Sequence, residues 1–111
     1  MNESIEKHIE SFDELTRQRF SLLYELILAS TSQVVEEKLW AKLPSIYCGK
    51  NYVRLIPFKD HINIEAKAMM AYQDQLKGYR FTPKGMLQIG HQQEIPAETL
   101  RLIFKDCLET I

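Results

Sequence analysis

The sequence predicts an α+β domain: an antiparallel sheet with N-terminal and C-terminal helices packed on one face. Three observations carry this. Apolar residues recur at helical spacing at both ends of the chain, and a strict alternation occupies its middle at His61-Ile62-Asn63-Ile64-Glu65. The regular strand–helix–strand order of a parallel sheet is missing. At 111 residues with 45% hydrophobic content, the chain has the size and apolar content of one domain spanning 1–111.

Ile5, Ile9 and Phe12 place a short first helix, and Ser11 with Glu14 reads as a capping box opening a second. In that second helix Leu15, Leu22, Leu23, Leu26 and Ile27 form the expected buried stripe, with Arg17, Gln18 and Glu25 facing water and Ser30-Thr31-Ser32 ending it. Val34 to Leu43 fits helical spacing at Val35, Leu39 and Leu43, but Pro44 closes the run, and a strand is the expectation.

Cys48-Gly49-Lys50-Asn51 marks a turn between a short run at Ser45-Ile46-Tyr47 and a strand from Tyr52 to Phe58 rich in β-branched and aromatic residues. After Lys59-Asp60 comes the alternating strand, with Ile62 and Ile64 on one face. Ala66 to Leu76 reads as a helix punctuated by Gly78, and Thr82-Pro83-Lys84-Gly85 turns into a last strand, Met86 to Ile89. Pro96 opens a final helix whose stripe is Leu100, Ile103, Phe104, Cys107, Leu108 and Ile111.

Charge excludes some functions. With 14 basic and 15 acidic residues the net charge is −1, and the basic residues are not clustered with aromatics, so neither nucleic acid nor an anionic membrane is an expected partner. Cys48 and Cys107 lie far apart and suit a reducing compartment. The opening residues are acidic rather than signal-like, and no apolar run is long enough to span a bilayer, so the expected location is the cytoplasm.

The order of short signatures is informative. Leu39-Trp40-Ala41-Lys42-Leu43-Pro44-Ser45, Phe58-Lys59-Asp60-His61-Ile62, Leu76-Lys77-Gly78-Tyr79, Lys84-Gly85-Met86-Leu87-Gln88-Ile89 and Ile95-Pro96 follow one another along nearly the whole chain. This series resembles the YdhG-like family, the domain of unknown function DUF1801. The family's Gly-Met-Pro is replaced by Lys42-Leu43-Pro44, and Met86 and Ile89 alter its last motif. The resemblance implies an α+β fold with likeness to frataxin and, from some members, an iron-binding chaperone role, with iron or an iron-accepting protein as partner.

Two surfaces are candidates for binding. Glu3, Glu6 and Glu10 recur on one face of the first helix with Asp13 and Glu14 behind them, and hard carboxylate oxygens suit iron at an open surface site. A solvated helix face has the same pattern. The second surface takes the polar residues of the resembling motifs, Lys59, His61, Tyr79 and Lys84, with Trp40 as a wall. Point charge, titrating donor and hydroxyl together suit a small anionic ligand or a protein partner. Turn and strand-edge roles account for those residues equally well.

Catalysis finds little support. There is no GxSxG, no phosphate loop and no HExxH, and His8, His61 and His91 are scattered. Cys48 with His61 across the hairpins is the one conceivable nucleophile pair. The expectation is a binding protein without catalytic activity and with no required cofactor.

Overall fold

The structure, a computed structural model, describes residues 1–109. Helix α1 (Glu3–Ile9) and helix α2 (Glu14–Ala29) lead into strands β1 (Glu36–Trp40), β2 (Leu43–Cys48), β3 (Asn51–Pro57) and β4 (His61–Ala66). A 3-10 helix (Met69–Leu76) follows, then β5 (Arg80–Phe81), β6 (Leu87–Gly90) and helix α3 (Ala97–Glu109). The six strands form one antiparallel sheet in the order β1-β2-β3-β4-β6-β5. Among the described residues no helix is long and apolar enough to cross a membrane.

Strand alternation divides the sheet into two faces. Register puts Ile46, Val53, Leu55, Ile62, Ile64, Leu87 and Ile89 on one face, all buried. There they join Phe20, Leu23, Tyr24 and Ile27 of α2 and Leu100, Ile103, Phe104, Cys107 and Leu108 of α3 in one contiguous apolar cluster. Water is excluded from that side, and the α+β arrangement with helices on one face follows. The same registers send Lys38, Trp40, Tyr47, Tyr52, Arg54, Asn63 and Glu65 to the opposite face.

Several local expectations shift. The run from Val34 to Leu43 is not one strand: β1 stops at Trp40, Ala41 (φ 50°) and Lys42 (φ 67°) make a two-residue turn, and Leu43 already opens β2. Two successive positive φ values are the signature of a type I′ hairpin turn, which ordinarily uses Asn-Gly. Pro44 does not end a run. It sits inside β2 opposite Leu39, because the extended conformation it imposes on Leu43 suits a strand as well as a stop.

Asp13, not Ser11, caps α2, accepting a 2.9 Å hydrogen bond from the Thr16 N–H. The buried stripe of α2 is Thr16, Phe20, Leu23, Tyr24 and Ile27, while Leu15 and Leu22 are 50% and 58% exposed. The segment Ala66 to Leu76 divides: Ala66 ends β4 opposite Val53, and the helical part is a 3-10 helix. Its eight residues span roughly 16 Å against about 12 Å for an α-helix. The two-residue strand β5 was too short to show alternation in the sequence. Ile111, assigned to the last stripe, lies outside the described residues.

Candidate functional site

Three chain connections meet at one end of the sheet. The β2–β3 turn is closed by Gly49–Lys50, with Gly49 at a φ of 61° that glycine adopts without a Cβ clash. Lys67 leaves the end of β4, and the β5–β6 loop brings Lys84 and Gly85. Together they frame a groove of about 710 Å³ lined by Lys50, Lys67 and Lys84. Tyr52, Cys48 and Met70 supply its less polar walls, and Glu65 is the one acid among the described residues lining it. The carboxylate of Glu65 is already engaged: Arg54 Nη1 lies 3.4 Å from one oxygen, and the Tyr52 hydroxyl donates to the other at 3.0 Å. A chain with a net charge of −1 thus carries a locally cationic groove.

Arg54 orders the open face beside that groove. It is only 5% exposed although its strand face carries no helix. The side chain is enclosed because its guanidinium stacks 4.1 Å from the Trp40 ring centre and 3.8 Å from that of Tyr52. Its Nε donates to Ser45 Oγ at 3.0 Å and its Nη2 to the Tyr47 hydroxyl at 2.7 Å. Burial opposes the charge, but the hydrogen bonds to the tyrosines outweigh it and raise the pKa above its ordinary value. The guanidinium is therefore a permanently charged brace. The sequence signal for it is an Arg flanked by Val53 and Leu55 in β3, with Tyr52 on the same strand, Tyr47 on the adjacent β2 and Trp40 on the edge strand β1.

The residues singled out for an anion do not gather in one place. Trp40 stands on the open face against Arg54, outside the lysine groove. Lys84 lies in the groove. Lys59 and His61 lie at the β3–β4 turn, the other end of the sheet, with His61 about 13 Å along β4 from Glu65. There the His61 ring stacks on Phe58 at 4.5 Å and its Nδ1 lies 2.6 Å from Asp60, a contact that lowers the pKa of the exposed Asp60 carboxyl. Tyr79 donates to the Glu94 carbonyl; burial, with Glu94 nearby, raises its pKa. Cys48 and His61 are likewise at opposite ends of the sheet.

The acidic residues have separate surroundings. Asp13 is the α2 cap, and the hydrogen bonds from Thr16 lower its pKa. Glu3 and Glu6 occupy the first turn of α1, where carboxylates favour the helix dipole. Glu6, Glu10 and Glu14 share a second groove, of about 940 Å³, between α1 and α2. Among the described residues no three His, Cys, Asp or Glu side chains are grouped to hold a metal ion. No family model, curated protein or solved structure matches this chain.

Proposed function

We propose that this chain is a non-catalytic binding protein, of the YdhG-like kind, that holds a small anion in the lysine groove. The observation that supports it is the convergence of Lys50, Lys67 and Lys84 from three separate connections on one concavity. Lysine offers a compact charge with three rotatable donors, which suits an anion of several oxygens such as a phosphate or carboxylate. The lysines are exposed, so the attraction is screened by salt. Both cysteines are free thiols, which supports a reducing, cytoplasmic location.

Calorimetric titration with pyrophosphate at low ionic strength tests this reading. Binding should weaken about tenfold or more in Lys67→Ala/Lys84→Ala, since two charge-assisted contacts are removed. Absence of any binding by the wild-type chain, or equal binding by the double variant, would reject it.

A second reading is iron handling of the frataxin-like kind, at an open surface where Glu6, Glu10 and Glu14 line one groove between α1 and α2 without being grouped as a preformed ligand set. Anaerobic titration with ferrous iron addresses it. A response unchanged in Glu6→Gln/Glu10→Gln/Glu14→Gln eliminates this surface as the site.

A further inference from the structure

The lysine groove contains two features that a bare inorganic anion does not use. Met70 is 46% exposed, one of the few large apolar side chains of the described residues left open to water, and it lines this otherwise cationic groove. Its thioether chain lies against the β5–β6 turn, 3.3 Å from where a Cβ on Gly85 would stand. The second feature is the Tyr52 ring. Tyr52 lines the groove, and its ring carries the Arg54 guanidinium 3.8 Å from its centre, with the Tyr47 ring 5.5 Å away.

We infer that the groove takes an anion bearing a flat aromatic ring, the chemistry of a nucleoside phosphate; this rests on the anion-binding reading above. The Arg54 cation draws π-electron density from the Tyr52 ring, which makes that ring a better stacking partner for an electron-rich one. Met70 supplies a soft, adaptable apolar surface for the same ring. The volume of about 710 Å³ lies within the range of sites for ligands of this size.

Charge then sets which way round the ligand lies. Lys50, Lys67 and Lys84 attract the phosphate, while the carboxylate of Glu65, its charge matched by Arg54, has lone pairs left to accept hydrogen bonds from sugar hydroxyls or ring amino groups. The anionic end therefore faces the lysines, and the donor-bearing part faces Glu65. Binding by ring and phosphate together separates such a ligand from inorganic phosphate and from a neutral nucleoside.

Calorimetry with ribose 5-phosphate and with adenosine 5′-monophosphate, at one ionic strength, tests the inference. The nucleotide should bind about tenfold more tightly, the effect of one base stack. Met70→Ala and Tyr52→Leu should each lower the ratio of nucleotide to ribose 5-phosphate affinity. Tyr52 also contacts Arg54 and Glu65, so if its variant unfolds, the exposed Met70 variant decides. Equal binding of both probes by the wild-type chain, or a preference intact in Met70→Ala, overturns the ring assignment and leaves the anion site standing. If neither probe nor pyrophosphate binds, both readings fall.

Discussion

The Arg54 guanidinium lies 4.1 Å from the centre of the Trp40 ring, joining the middle of the open sheet face to its edge strand. Arg54 reaches Ser45, Tyr47 and Glu65 at once, and only a planar fork has donors in those directions. Arg54→Lys should therefore cost about 1–3 kcal/mol, because buried acceptors lose partners that an ammonium cannot replace together. The chain has a single tryptophan, so its fluorescence reports on Trp40 alone. Denaturant unfolding followed by that signal should show a lower midpoint and a native emission maximum shifted to longer wavelength. An unchanged midpoint would mean that the stack does not brace the sheet.

The turn between β1 and β2 holds Ala41 and Lys42 at φ 50° and 67°, a region that costs a residue with a Cβ roughly 1–2 kcal/mol. Ala41→Asn/Lys42→Gly places there the pair that type I′ geometry prefers. The expected gain is about 1 kcal/mol after the entropy cost of the added glycine, or roughly 4 °C in Tm for a domain of this size. Thermal melting of the two chains is sufficient. A fall in Tm would show that neighbouring contacts, rather than the turn, determine stability here.

Asp13 links helix capping to acid stability. Hydrogen bonds from Thr16 lower its folded-state pKa below the ordinary 3.8, so its contribution is present above that value and disappears as pH falls through the lower folded one. Asp60, lowered by His61, acts in the same direction. Asp13→Asn keeps an oxygen that accepts from Thr16 but does not titrate. Its melting temperature should fall less than that of the wild type between about pH 5 and pH 2. Parallel acid limbs would remove Asp13 from the account.

Legibility differed from element to element for physical reasons. Helix α3 was plain because Leu100, Ile103, Phe104, Cys107 and Leu108 leave one apolar stripe and all five are buried. Strand β4 was plain because its alternation matches burial residue by residue. Helix α2 has apolar residues on more than one side, so spacing could not show that Phe20 and Tyr24 face the core while Leu15 and Leu22 face water. The β1–β2 turn lacks Gly or Asn, so nothing local marked it. Of the groove, only Lys84 was legible, as a polar residue at a turn. Lys50 and Lys67 become its neighbours only through the pairing of β2, β3 and β4.

The two thiols should separate the groove from the core. Cys48 is half-buried and lines the lysine groove, whereas Cys107 is 4% exposed and donates to the Tyr52 carbonyl at 3.2 Å. A charged thiol reagent such as a dinitrobenzoate disulfide should modify Cys48 first, aided by the nearby lysines. Cys107 should react only on unfolding, because its sulfur is reached through opening of α3. Pyrophosphate should slow the first reaction in the wild type and not in Lys67→Ala/Lys84→Ala, since protection requires an anion held beside the thiol. Timed labelling with mass analysis of the peptides carrying each cysteine measures both rates. Modification of Cys107 ahead of Cys48 would contradict the packing of α3 on the sheet, and Cys48 modification unaffected by pyrophosphate would place the anion elsewhere.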